Sequence, residues 1–158
     1  MKKALLFACL FAFVTFSSVA IAQKTINLDA APFTPNGWTV ESNQGGGQLE
    51  WDASKITLWF SKNQLRGKMI KGTELREELR GKKVLGANVL DFFLAHPELI
   101  PESWKGESVY FWGTVYRDQN GNLLVRCLHA SETDVWWYAN DLNERWNSND
   151  PAAVLLKK

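Results

Sequence analysis

Aromatic side chains are the most unusual chemical feature of this sequence, which contains eight Trp and three Tyr among 158 residues. A ring with a polar edge that stays exposed can stack on a sugar or contact a protein partner. Alternation predicts that Tyr110, Trp112 and Tyr116 share one face of a strand. By the same rule Trp136 and Tyr138 share a face of a later strand. These five rings are the candidate ligand-binding residues, unless a second layer of the protein covers them.

Nucleophiles and general acids are the second chemistry to weigh. A Cys127 nucleophile would need an imidazole within hydrogen-bond reach and a third group behind it. His129 projects parallel to the thiol from about 7 Å along the strand, and nothing in the sequence brings His96 closer. Glu50 and Asp52 are the best carboxylate pair for a small hydrolase, which needs one acid in an apolar pocket. No residue is assigned a catalytic role, and the residues favour binding over catalysis.

Metal and nucleotide sites lack their sequence patterns. Structural zinc needs about four closely spaced Cys or His ligands, which this chain does not have. The oxygen-bearing side chains of residues 141–150 lack the alternation and central Gly of a calcium loop, and they are typical of turns instead. Gly45 to Gly47 are not followed by the Lys and Ser or Thr of a phosphate loop. We therefore expect no metal and no cofactor.

The first 22 residues have the pattern of a secretory signal peptide. Lys2 and Lys3 precede an uncharged apolar run, and Ala20 and Ala22 are small residues at the −3 and −1 positions of a cleavage site. The apolar run is shorter than the roughly 20 residues that span a membrane. We expect cleavage, one globular domain over residues 23–158, no transmembrane segment after cleavage, and a periplasmic or secreted location.

Cleavage would also change the number of cysteines and the net charge of the protein. Cys9 would leave with the leader, so Cys127 would be either buried in the core or linked to a second chain as a disulfide dimer. The formal net charge of the whole chain is only +1, and two of its Lys lie in the leader. A near-neutral domain lacks the positive field of a nucleic-acid binder, so no nucleic-acid partner is expected.

The elements that must position these residues follow from periodicity. Apolar residues alternate over 38–41, 48–52, 56–61 and 109–116, which predicts strands, and a return strand is predicted over 123–130. A further strand is predicted over 135–138, where both faces are apolar or aromatic. Asp52 to Lys55 read as one hairpin turn, and Asn120-Gly121 marks another within 109–130. Residues 24–36 look mostly irregular, and residues 69–70 could add a short strand.

Two short helices are predicted between these strands. The first has Thr73 as its N-cap and stops at Gly81, and the second begins near Asn88 and stops before Pro97. Pro151 is well placed to begin a final helical turn. The order predicts an α+β fold with a mainly antiparallel sheet and two short helices between its N-terminal and C-terminal strands.

Several stretches resemble a family of small bacterial proteins that has no established activity. The resemblance lies in Asn88-Val89-Leu90-Asp91, His96 to Pro101 with Trp104-Lys105, Phe111 to Thr114 with Tyr116-Arg117, and, more weakly, Asp29 to Phe33 and Gly37 to Glu41. It spans most of residues 23–158. It implies a single coherent domain from a bacterium and carries no catalytic or binding residue with it.

Three functional hypotheses follow. The first is a non-enzymatic exported binding domain that recognises a cell-envelope glycan or a protein partner through its aromatic side chains. The second is a small envelope hydrolase that uses carboxylates or Cys127. The third is a structural or assembly factor.

Overall fold

A computed structural model describes residues 24–156, so the expected signal peptide and Cys9 lie outside the described residues. The strands are β1 (Thr25–Asn27), β2 (Thr39–Asn43), β3 (Gln48–Glu50), β4 (Ile56–Trp59), β5 (Ile70–Lys71), β6 (Ser108–Tyr110), β7 (Thr114–Arg117), β8 (Leu123–Ala130), β9 (Val135–Asp141), β10 (Arg145–Trp146) and β11 (Ala152–Leu155). The helices are α1 (Gly72–Glu78) and α2 (Ala87–Ala95). Within this part of the chain no helix is long and apolar enough to cross a membrane.

Strand β8 is the centre of a seven-stranded sheet. It pairs with β9 along one edge and with both β6 and β7 along the other. β2 continues the sheet beyond β7, while β11 and then β4 continue it beyond β6. Every pairing is antiparallel except that of β11 with β6. The predicted α+β fold with a mainly antiparallel sheet is confirmed.

The strand predicted over residues 109–116 is interrupted. Tyr110 pairs with Cys127 and Tyr116 pairs with Leu124. The five residues between Tyr110 and Tyr116 therefore lie opposite only two residues of β8. The extra residues form a turn at 111–113, where the Gly113 N–H donates to the Leu85 carbonyl. A Cβ on Gly113 would lie only 2.7 Å from the backbone nitrogen of Gly86. Glycine therefore permits the close approach that stabilises this interruption.

Two local predictions, the hairpin turn at Asp52 to Lys55 and the final helical turn after Pro151, are wrong because distant strands pair with these segments. β3 pairs with β1, which lies in the segment expected to be irregular, and β4 pairs with β11. Asp52 therefore ends no hairpin and instead accepts a hydrogen bond from the Ser54 backbone N–H at a 3₁₀ turn. Residues 152–155, expected to be helical, form β11 between β4 and β6.

Both helices begin with backbone N–H groups that donate to distant residues instead of to a local side-chain cap. The Gly72 and Thr73 N–H groups donate to the carbonyls of Glu144 and Leu142, so α1 starts before Thr73, the predicted N-cap. At α2 the Ala87 N–H donates to the Thr114 hydroxyl at 2.8 Å. Long-range partners satisfy the same free N–H groups that a capping side chain would.

Arg126, on β8, is a fully buried cation that joins four parts of the fold. Its Nη1 donates to Asp91 on α2 at 2.9 Å and to the Phe33 carbonyl at 3.3 Å. Its guanidinium lies 4.3 Å from the ring of Trp137 on β9 and 6.0 Å from that of Tyr116 on β7. Its Nε and Nη2 have no hydrogen-bond partner among the described residues. A buried charge of this kind depends strongly on its counter-ion.

Substituting Asp91→Ala is expected to lower the free energy of unfolding by about 3 kcal/mol, because Arg126 is left buried without its counter-ion. Urea denaturation followed by tryptophan fluorescence measures the loss. The double variant Asp91→Ala with Arg126→Met is the control, since it removes the buried charge and should recover part of the loss. A single variant within about 0.5 kcal/mol of the parent, as at an ordinary surface position, would contradict this account.

Candidate binding site

Three adjacent strands present the candidate site. Directly opposed residues of paired strands lie on the same face, as do residues two positions apart along a strand. Two neighbouring cross-strand rows on β6, β8 and β9 therefore share a face, with Ser108, His129 and Trp136 in the first row and Tyr110, Cys127 and Tyr138 in the second. We call the accessible part of these rows, Ser108, His129, Trp136 and Tyr138, the aromatic face.

Hydrogen bonds connect the two rows. The Tyr110 hydroxyl donates to the Tyr138 hydroxyl at 3.5 Å, and the Tyr138 hydroxyl donates to Ser108 Oγ at 2.8 Å. Ser108 Oγ lies 3.0 Å from His129 Nδ1. Ser108 Oγ accepts from Tyr138 and can donate its own proton to Nδ1, and in that tautomer of the neutral imidazole the ring proton lies on Nε2. The Nε2–H group is then a donor available to a ligand.

Two aromatic rings of the face are open to solvent. Trp136 is 44% exposed and Tyr138 is 36% exposed. The Trp136 ring centroid lies 4.5 Å from that of His129, with an interplanar angle of 37°. The intervening Trp137 points to the opposite side of the sheet, where it packs on Arg126. The face therefore combines a stacked, accessible indole with hydroxyl and imidazole groups at its side.

The expectation that Tyr110, Trp112 and Tyr116 share an exposed face is wrong. Tyr110 and Tyr116 pair with residues three apart on β8, so the turn at 111–113 places them on opposite sides of the sheet. All three rings are buried, at 5% exposure or less. Of these three, only the Tyr110 hydroxyl reaches the aromatic face.

Other aromatic residues cover these three rings. Tyr110 and Trp112 pack against Trp146, with ring centroids 4.5 and 4.7 Å apart. Tyr116 packs against Trp38, with centroids 5.7 Å apart. The alternative weighed from the sequence, a second layer over the rings, therefore applies to these positions, whereas Trp136 and Tyr138 remain accessible.

Ser108 and His129 are the members of the face that sequence reasoning did not single out as ligand-binding residues. Periodicity predicted that His129 and Cys127 share a strand face, which the register supports. It could not place Ser108 opposite His129, because that register depends on how many residues the turn at 111–113 contains. The available signal was the number of residues on each side of the Asn120-Gly121 turn, which predicts cross-strand partners only if both strands are continuous. The interruption at 111–113 makes that count misleading.

Cys127 lies beneath the face as a buried thiol, as expected for a core cysteine. Burial raises the pKa of Cys127 from its ordinary 9.0 to about 12, although hydrogen bonds from Tyr138, Tyr110 and Ser108 act in the opposite direction. The unfolded chain would lose this proton near pH 9, so the stabilisation from the buried thiol is complete below pH 9 and is lost as the pH rises toward 12. A protonated, buried sulfur is a poor nucleophile and a poor partner for an intermolecular disulfide.

Asp52, one of the two carboxylates considered for hydrolysis, has a different environment from the one that such chemistry needs. Hydrogen bonds from the side chain and backbone of Ser54 lower the pKa of Asp52, whereas a general acid needs a raised one. Burial does raise the pKa of Asp150, although a hydrogen bond from the Asn147 backbone N–H acts in the opposite direction.

The oxygen-rich residues near the C-terminus are occupied by turns. Asp141 Oδ1 accepts from the Asn143 N–H, and Asn147 Oδ1 accepts from the Asn149 N–H, both at 2.8 Å. Asp150 Oδ2 accepts from the Asn147 N–H at 2.8 Å. Within residues 24–156 no three His, Cys, Asp or Glu side chains are grouped to hold a metal ion.

Comparisons with models of protein families, with curated proteins and with solved structures find no match for this chain. The resemblance drawn from residues 84–126 therefore stays a prediction.

The folded protein is expected to resist thiol labelling at Cys127. With a pKa of about 12, roughly one thiol in ten thousand is ionised at pH 8, and the sulfur is buried. An aromatic disulfide reagent should release its chromophore within minutes in urea and far more slowly from the native protein. A Cys127→Ser variant accounts for any signal from Cys9, and fast labelling of the native thiol would contradict the assignment.

Proposed function

We propose that this protein is a non-enzymatic binding domain that recognises carbohydrate through the aromatic face. The accessible Trp136 indole carries the proposal, because the apolar face of a pyranose ring stacks on a flat aromatic side chain. Tyr138 extends this surface along the same strand. The expected export of the chain makes a cell-envelope glycan, such as peptidoglycan, the ligand class to test first.

The polar groups beside the rings suit an uncharged, hydroxyl-rich ligand. His129 offers an Nε2–H donor, and the hydroxyls of Ser108 and Tyr138 can accept as well as donate. None of these side chains brings a permanent charge. Sugar hydroxyls form hydrogen bonds of this kind, whereas a charged ligand would lack a counter-ion on this face.

The geometry also reduces the entropic cost of binding. The ring contact with His129 restrains Trp136, and two hydrogen bonds hold the Ser108 hydroxyl between Tyr138 and His129. A ligand therefore meets side chains that are already ordered. Preorganised groups lose less side-chain freedom on binding than mobile ones.

Removal of the indole by Trp136→Ala is expected to weaken glycan binding about tenfold or more, the loss typical of a central aromatic contact. Co-sedimentation of the purified protein with peptidoglycan sacculi, and fluorescence titration with soluble β-linked oligosaccharides, measure the affinity. Tyr138→Phe keeps the ring and loses only the hydroxyl, so its effect should be smaller.

Leu65→Ala is the matched control, because Leu65 is also an exposed apolar residue, at 40%, but lies outside the face. It should bind as the parent does. Absence of binding to both glycan classes, or equal losses in Trp136→Ala and Leu65→Ala, would refute the carbohydrate proposal. If the parent instead binds a purified envelope protein in a manner that depends on Trp136, the face serves a protein partner.

A further inference from the structure

A cleft of about 320 Å³ lies away from the six residues of the two rows, between the end of β2 and the segment that follows α1. Ser42 lines it from β2, and Trp112 and Gly113 line it from the turn between β6 and β7. Arg76 on α1 and residues 79–82 after it complete the wall. Its volume is at the lower end of the range for small-molecule sites, about 300–1,000 Å³.

The wall of this cleft is strongly positive. Arg76, Arg80 and Lys82 line it, and no Asp or Glu does. Arg80 pairs with Glu77 at 2.8 Å, but both side chains are more than half exposed, so water screens that pair. Lys82 Nζ lies 4.5 Å from the centre of the Trp59 ring, a contact that orients the ammonium group without neutralising it.

Trp112 supplies a second, independent indication of a ligand. Its side chain is 5% exposed, and its indole N–H has no hydrogen-bond partner among the described residues. Buried donors in native proteins are almost always paired, with protein, water or a ligand. The indole nitrogen itself has almost no accessible surface, so an anionic acceptor in the cleft would satisfy it only if the residues around Trp112 move on binding.

Local structure holds the cationic groups in place. Arg76 Nη2 donates to Ser42 Oγ at 3.1 Å, which leaves the other guanidinium N–H groups to a ligand. Gly81 has a φ of +77°, a conformation that other residues rarely adopt, and its turn brings Arg80 and Lys82 to the same cleft. The residues that carry these charges therefore line the cleft from α1 and its C-terminal turn.

We propose that this cleft binds a phosphate group, either free phosphate or the phosphate of a small monoester. Three cations around one opening suit a dianion better than a carboxylate, and the planar guanidinium of Arg forms paired hydrogen bonds with phosphate oxygens. This site is independent of the carbohydrate proposal, since it shares no residue with the aromatic face.

The test is a titration of the ¹⁵N-labelled purified protein at constant ionic strength, in which the Trp112 indole N–H signal is followed by NMR. Trp112→Phe identifies that signal by its disappearance. Inorganic phosphate, glycerol 3-phosphate and acetate are the probes. We expect a saturable shift with the two phosphates, and Arg76→Gln and Lys82→Gln should each raise the dissociation constant about tenfold, as loss of a charge-assisted contact does.

Lys68→Gln is the matched control, because it removes the same charge from an exposed residue that does not line the cleft. It should leave the affinity unchanged. Tighter binding of glycerol 3-phosphate than of phosphate would identify a monoester as the ligand, and tighter binding of inorganic phosphate would identify the free ion. A shift that does not saturate, equal losses in the Arg76, Lys82 and Lys68 variants, or acetate binding as tightly as phosphate would overturn the proposal.

Discussion

The ion pair between Arg126 and Asp91 is the interaction on which the architecture depends. Arg126 is fully buried, and the rings of Phe33, Tyr116 and Trp137 lie around its guanidinium. Desolvating a cation is costly, so the hydrogen bond to Asp91 and these ring contacts must offset that cost together. These contacts join the central strand β8 to α2, to β7, to β9 and to the segment that precedes β2.

This buried cation also helps to decide which side of β9 faces solvent. Trp137 is drawn inward onto the guanidinium, and strand alternation then directs its neighbours Trp136 and Tyr138 outward. The exposure of Trp136 and Tyr138 therefore follows from the packing of Trp137 on the opposite side of the sheet. Its polar members, Ser108 and His129, reach it because β6 and β8 pair in a register that the turn at 111–113 permits.

The aromatic face and the cationic cleft differ in chemistry because they differ in construction. The face is built on regular strands, where flat rings and uncharged polar groups line up at strand spacing. The cleft is built where regular structure stops, at the turn beside Gly113 and the end of α1, and it is lined by Arg76, Arg80 and Lys82. The two proposals follow this difference: a neutral ligand for the strand-built face and an anion for the cation-lined cleft.

The sequence alone determined the α+β class, the positions of most strands and of both helices, and the shared strand face of Trp136 and Tyr138, since these depend on periodicity and local turn residues. It also indicated that Cys127 is a core residue. Tertiary structure decided that Tyr110 and Tyr116 lie on opposite faces, that β3 pairs with β1, and that residues 152–155 form a strand. These outcomes depend on strand register and on distant backbone partners such as Leu85 with Gly113, and a one-residue change in register reverses a face without any local trace in the sequence.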